Sequence, residues 1–394
     1  MRGFISVLTA LVLLFTNCTK EPAPITGVKL KLNELTLNVD STFTFIPVFE
    51  PEEAYDRVEW SSTNPFVASI DEYGKVTAHQ TGNTIVKAAV QGLTAECILT
   101  VVPHIYTAGN KVVMDGERVL YNVNENTKVR VDAAHNVYTA SAVRGESYTQ
   151  SFEIKKNGKL MYTLYKGDLN SYLTAFEIDG TNLYTAIETY NNYSATTSSR
   201  IYKNGKAYHS LSDAYDDMSV RTVCAKGNDV YCGGYIYNGR FTATVWKNKK
   251  PLYSLLNTIN DVWVKSIAVD GDDVYSLVCE HSRRLYVFKN DQQIFFTNEY
   301  GQCSNIIVKD GHLYIVLGGS QHAVIYVDGQ KGVSFETKTY QGTLSMSIYE
   351  TAFCGDDMYT LGLCNYNPTI WKNGEILYSF PKDRMDLKSL SVMP

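Results

Sequence analysis

Three kinds of side-chain cluster in this 394-residue sequence have the chemistry of a functional site. The first sets aromatics beside amides: Tyr190-Asn191-Asn192-Tyr193, Tyr235-Ile236-Tyr237-Asn238 and Asn365-Tyr366-Asn367, with Trp263 ending Asn260-Asp261-Val262-Trp263. Aromatic faces stack on sugar rings or peptide side chains, and Asn side chains hydrogen-bond hydroxyls. His281, Arg283 and Arg284 would add positive charge, and Tyr215-Asp216-Asp217 adds another aromatic. The second kind is the carboxylate pair, at Asp216-Asp217, Asp272-Asp273 and Asp356-Asp357. Such pairs suit general acid and base work, but neighbours in sequence need not converge on one substrate, and Asp is favoured in turns for backbone reasons. The third is cysteine: seven follow Cys18, none in a Cys-x-x-Cys pair, so buried free thiols are expected. Cys224 and Cys232 flank one hairpin, close enough to approach each other.

The seven histidines are scattered, with no His-x-x-x-His or paired Cys/His spacing, so no metal site is expected. Neither a Gly-x-Ser-x-Gly elbow, a His-Glu-x-x-His helix nor a phosphate-binding glycine loop occurs. No cofactor is expected. The net charge of -5 and the lack of a Lys/Arg-rich run argue against nucleic acid. The 44% hydrophobic content supports packed cores, and 29 Tyr against 15 Phe suits half-buried strand faces.

What would position these clusters is a repeat. From residue 104 an apolar residue followed by Tyr recurs at Ile105-Tyr106, Val137-Tyr138, Leu183-Tyr184, Val230-Tyr231, Val274-Tyr275, Leu313-Tyr314 and Met358-Tyr359. A tight turn follows each, at Asp115-Gly116, Asn157-Gly158, Asn204-Gly205, Asn248-Lys249, Asn290-Asp291, Asp328-Gly329 and Asn373-Gly374. Asn-Gly and Asp-Gly supply the positive φ that two-residue hairpins need. One unit reads as strand a at 265–269, b at 274–278, c at 285–288 and d at 293–296. Four antiparallel strands every 40–45 residues or so is the β-propeller blade pattern. Ile105-Tyr106 is a b strand with no a strand before it, and Leu387-Lys388-Ser389-Leu390-Ser391-Val392 matches the a strand Val264-Lys265-Ser266-Ile267-Ala268-Val269. The C-terminal strand should therefore complete the N-terminal blade, giving seven blades over 104–394. A meander puts the a–b and c–d turns on one side and the b–c and d–a loops on the other. The second set looks longer and more varied, and loops that vary on a rigid scaffold carry binding residues. The aromatic–amide clusters fall there.

Two N-terminal segments carry family resemblances. Arg2 and the apolar run Phe4–Phe15 read as an export signal, too short to span a bilayer. Leu14-Phe15-Thr16-Asn17-Cys18 then resembles the lipobox of bacterial lipoproteins, which implies a signal peptide over 1–17, acylation of Cys18 and a proline-stiffened tether over 18–26. From 27 to 102, seven short alternating strands suggest a β-sandwich. Val58-Glu59-Trp60-Ser61-Ser62-Thr63-Asn64-Pro65, Val67-Ala68-Ser69-Ile70-Asp71, Gly74-Lys75-Val76-Thr77-Ala78 and Gly82 resemble the bacterial Ig-like group 2 module, with Asp40 where that family has a turn glycine. The resemblance implies a stalk or spacer, with Trp60 in its core.

The whole is similar to lipoproteins of Bacteroidetes, which implies the outer membrane, facing periplasm or exterior. The expected fold is all-β, a sandwich followed by a propeller. The leading expectation is a non-catalytic binding protein whose loop face, with Tyr190, Asn192, Tyr193, Tyr235, Tyr237, Asn238, Trp263, His281, Arg283, Asn365 and Tyr366, holds a glycan or protein. A polysaccharide hydrolase or lyase, or a scaffold in an envelope complex, are the alternatives. Radiolabelled palmitate should enter the wild type and not Cys18→Ala; equal labelling would refute the anchor.

Overall fold

The computed structural model describes residues 24–145, 149–168, 170–211, 217–280, 284–298, 302–318, 323–335, 346–381 and 386–394. The described residues form no α-helix, and the chain divides into two compact units after Val102. The smaller unit has nine strands, two more than alternation alone suggests. The additional ones, Pro47–Glu50 and Lys75–Ala78, pair with Gly27–Leu30 and Thr42–Thr44. A four-stranded sheet runs Glu34–Asn38, Leu93–Val102, Gly82–Val90, Glu59–Ser62, its first pair parallel. Ala68, Val76, Val86, Ala88, Cys97 and Leu99 are fully buried between the sheets, as inward positions of alternating strands should be. Trp60 is only half-buried, against Phe45 at the edge of that core. Asp40 takes φ 62°, adopting the left-handed turn conformation a glycine would.

The described residues of the larger unit form seven antiparallel four-stranded sheets, each a meander with its strands in the order a-b-c-d. Six are continuous in sequence, with a strands at Lys128–Val131, Ser171–Asp179, Met218–Lys226, Val262–Asp270, Gln302–Lys309 and Met346–Cys354. The seventh, the split sheet, takes b, c and d from His104–Gly109, Lys111–Met114 and Arg118–Asn122 and its a strand from Leu387–Met393. Its register pairs Ile105 with Val392. These sheets fit propeller blades.

Each sheet is fastened by one repeated exchange. The first residue of the c–d turn accepts a hydrogen bond through its side chain from the N–H of the apolar residue opening strand b, at 2.8–2.9 Å in all seven sheets. Its own N–H donates to that same residue's carbonyl, for instance Asn290 to Val274 at 2.7 Å. Both turn residues have positive φ in six turns and Asn290 alone in the seventh, the mirror-image turn that matches strand twist. The residue just before that apolar one completes the fastening. Where the turn carries Asn, its amide donates to an Asn or Asp, as Asn157 to Asn136 at 3.0 Å and Asn290 to Asp273 at 3.1 Å. Where it carries Asp, which cannot donate when ionised, a His stands opposite: His104 with Asp115 at 2.8 Å, His312 with Asp328 at 2.7 Å. The marker tyrosines are half to fully buried beneath, and in four sheets a lysine closing strand c lies 5.2–5.5 Å over the ring centre.

Hydrogen bonds also join each sheet to the next. Arg130 reaches Glu177 (3.3 Å), Val220 N donates to Ser199 Oγ (2.9 Å), and Lys226 to Val269 O (3.1 Å). Ile306 N donates to Ser266 Oγ (3.2 Å), Asn305 to Thr351 O (3.0 Å), and Leu390 N to Glu350 (2.8 Å). Val129 N donates to Ser389 Oγ at 3.1 Å, joining the split sheet to the first continuous one.

Lys247 and Asn248 hold the Asp229 carboxyl below its ordinary range, Lys289 and Asn290 do so for Asp273, and His312 for Asp328. Folding therefore favours their ionised forms. That stabilisation is complete above the unfolded carboxyl pKa of about 3.9 and is lost as pH falls through the lower folded values. Asp273→Asn keeps an acceptor for Asn290, as Asn136 and Asn182 do naturally. It should fold normally at pH 7, and its melting temperature should fall less than the wild type's between pH 5 and 3. Superimposable acid profiles would show that the carboxylate plays no such part.

Candidate functional site

The aromatic–amide clusters sit at the ends of b strands away from the fastened turns. In the second sheet strand b runs to Asn191, whose side chain accepts from Tyr193 N at 2.9 Å and Ser194 N at 3.3 Å. That local turn lifts Tyr193 fully into solvent, with Tyr190 and Asn192 also exposed. In the third sheet Tyr235 and Tyr237 belong to strand b itself rather than to a loop, and Asn238 starts the turn with N–H to Arg240 O at 3.1 Å. Phe241 packs edge-on to Tyr235, ring centres 5.2 Å apart, and lies 4.7 Å from Tyr237. In the sixth sheet the connection is a two-residue turn with Asn365 at φ 51° and Tyr366 at φ 65°. A bulky residue seldom adopts that conformation, and here it points Tyr366 outward, 60% exposed. The expectation that the b–c and d–a loops are longer than the other turns, differing from sheet to sheet, is corrected for two b–c connections. Here, and at Asn110 in the split sheet, they are as tight as the c–d turns.

Trp263 is likewise a strand residue, on the fourth a strand, half-buried against a core cluster that includes Leu277 and Ile306. The structure brings it and Tyr235 to one 180 Å³ pocket with Phe241, Asp261 and Arg221. Tyr190, Asn192 and Tyr193 belong to the neighbouring sheet and do not line that pocket, and Tyr366 lies on a sheet further along the chain. Cys18, His281, Arg283, Tyr215 and Asp216 lie outside the described residues.

One carboxylate of each pair is engaged by the structure. Asp273 and Asp357 belong to the turn fastening, with Lys289 and Lys372 each 2.8 Å away. Asp217 accepts from Thr197 N at 3.0 Å and through its carbonyl from Tyr237 N at 2.9 Å, tying the second sheet to the third. Cys224 and Cys232 lie on paired strands as free thiols; burial pushes Cys224 up to about 12 and Cys232 higher still.

A larger cleft of about 1050 Å³ opens at the same ends of the sheets. Tyr172, Arg144, Asn124, Gln150 and Glu125 are among its lining. Tyr172 is 57% exposed. None of the residues singled out from sequence lies here.

Sequence reading also missed a second cavity, of about 340 Å³, lined by the a strands of all seven sheets. Most of these strands carry a bulge: two residues oppose one on strand b, with register shifts at Leu173/Ala175, Val220/Thr222, Val264/Ser266 and Ile348/Glu350. The C-terminal strand skips Lys388 in the same way. A bulge leaves its extra residue unpaired and re-aims the side chain. The extra residues, Thr174, Arg221, Lys265, Tyr349 and Lys388, all line this cavity. Glycine stands opposite the bulge where backbones approach most closely: a Cβ on Gly234 would lie 1.7 Å from Ser219 O, and on Gly362 2.1 Å from Ser347 O. A signal was available in the match of Val264-Lys265-Ser266 with Leu387-Lys388-Ser389, which places one cation at the same point of two apolar strands.

The cationic lining comprises Lys128, Arg130, Arg221, Lys265 and Lys388 against Glu177 and Glu350. Arg130 is saturated, with Glu350 at 2.8 Å, Glu177 at 3.3 Å and Val129 O at 2.8 Å. Against the cost of burial, Glu350 and Glu177 push its pKa up. For Lys128 the lost hydration outweighs the attraction of Glu350, and Arg130 and Lys265 add repulsion, so its ammonium lies below the usual lysine range.

Comparison with known proteins defines the class of the smaller unit. Residues 24–101 match the family model of the bacterial Ig-like domain (group 2), so this all-β chain carries such a module ahead of its seven-sheet unit. An uncharacterised protein of Clostridium acetobutylicum is 34% identical over 80 residues, which is 19% of this chain and 8% of that protein.

Gly234→Ala should destabilise the larger unit by about 2 kcal/mol or more, since the methyl must displace the Ser219 carbonyl and the bulge with it. Chemical denaturation of the variant alongside the wild type measures this. Equal stabilities would show that the bulge is not held by that close approach.

Proposed function

We propose that residues 104–394 form a closed seven-bladed β-propeller, borne by an envelope lipoprotein anchored through Cys18, with the Ig-like module as spacer. The unbroken series of hydrogen bonds from sheet to sheet, returning through Ser389 to Val129, supports closure. On this reading the protein is a binding protein, located in the bacterial outer membrane, and its b–c side receives a glycan.

The observation that carries the reading is the difference between the two ends of the sheets. At one end every c–d turn is occupied by the same fastening, which leaves its Asn, Asp and His side chains engaged. At the other end Tyr172, Tyr190, Tyr193, Tyr237 and Tyr366 are exposed, two of them on tight turns, and a cleft large enough for several sugar rings, with Tyr172 in its lining, opens at that end. Tyrosine offers a rigid stacking face at low entropic cost, whereas a merely soluble turn has no need of it.

Glycan-array binding with parallel turnover assays tests this. The wild type should bind one sugar class without consuming it. The triple variant Tyr190→Ala/Tyr193→Ala/Tyr366→Ala should bind at least about tenfold more weakly, the loss of roughly 1.4 kcal/mol expected for removed stacking anchors. Its melting temperature should be unchanged, because the three rings are exposed. Turnover of the bound sugar would replace this reading with a propeller enzyme. Blank arrays alongside saturable binding of an envelope protein would replace the glycan with a protein ligand.

A further inference from the structure

The cavity lined by the a strands has charge that the fold does not use. Lys128 and Lys265 have no hydrogen-bond or ion-pair partner among the described residues, although each faces the same 340 Å³ space. Its two carboxylates are engaged elsewhere: Glu177 and Glu350 both bind Arg130, and Glu350 also accepts from Ser389 Oγ at 3.1 Å and Leu390 N at 2.8 Å. Among the described residues Arg221 reaches only Glu188, at 3.5 Å. Composition does not explain this lining, because the chain has more acidic than basic residues, 41 against 36.

The backbone places these cations deliberately. Arg221 and Lys265 are the extra residues of two a-strand bulges, in strands whose flanking residues Val220, Val264 and Ser266 are buried. As the extra residue of a bulge, each is left out of the cross-strand pairing and lines the cavity instead. Gathering unpaired ammonium groups around one small space costs repulsion and lost hydration, which a bound anion would offset. A space of this size accepts a small ligand.

We propose that this cavity is an anion-binding site in which Lys128 and Lys265 grip one oxyanion group of a small ligand (a carboxylate, sulfate or phosphate), with Arg221 beside them. Arg130, already saturated by carboxylates, positions the first a strand and takes no part in the grip. The site is independent of the exposed tyrosines, so either site can fail without the other.

Calorimetric titration of the full chain tests it, using sodium galacturonate, sulfate and inorganic phosphate at constant ionic strength, with galactose as the neutral control. At least one anion should saturate with a Kd below about 1 mM, galactose should not bind here, and the preferred anion identifies the group. Lys128→Met/Lys265→Met should weaken that binding at least about tenfold, and its ligand-free melting temperature should equal or exceed the wild type's because a repulsion has gone. Lys265→Gln alone, at an exposed side chain, should weaken it at least about threefold and covers the case of a double variant that fails to fold. Lys159→Gln, at an exposed lysine outside the cavity lining, should leave anion affinity unchanged. Absence of saturation by all three anions to about 10 mM, or equal affinity in the lysine variants, would overturn the proposal.

Discussion

A single exchange of hydrogen bonds holds each sheet of the larger unit in register. The side chain that opens the c–d turn caps the first N–H of strand b, and the turn's own N–H returns the bond to the same residue. The geometry is satisfiable only with positive φ at the turn, which is why Asn and Asp occupy it. The outer partner then follows from donor and acceptor logic: Asn opposite Asp or Asn, Asp opposite His. At about 1 kcal/mol net for each such bond, one fastening is modest, but it recurs in every sheet and fixes which residues of strand b face inward.

That register carries through to the other end of the sheets. With strand b fixed, the extra residue in strand a must bulge, and glycine at Gly234 and Gly362 allows the backbones to close on it. The bulges turn Arg221 and Lys265 toward a common cavity, while the b-strand ends carry the exposed tyrosines. One end of each sheet is spent on structure, and the variable residues are gathered at the centre and the opposite end.

Most of this scaffold is legible in the sequence. The apolar-Tyr mark and the Asn-Gly mark are the two halves of the fastening, so their joint recurrence reveals sheet number and strand order. The pairing of Ile105 with Val392 follows from matching Leu387-Lys388-Ser389 to Val264-Lys265-Ser266. In the smaller unit Pro47–Glu50 escapes notice because it opens with proline. The site was harder. Tyr235 and Trp263 look like loop residues from their neighbours, yet lie on strands that run further than alternation predicts. The cavity cations were invisible because a bulge breaks the two-residue period by which inward and outward faces are told apart.

The central claim is that the unit is a ring completed by its C-terminal strand. Thermal unfolding of a chain ending at Asp386 tests it most directly, with the intact chain measured alongside. Loss of Leu387–Met393 removes the partner of His104–Gly109 and the Ser389 and Leu390 bonds to Val129 and Glu350. The account predicts that the larger unit's cooperative transition falls sharply or disappears, while that of the Ig-like module persists. An unchanged melting curve for the larger unit would contradict the ring.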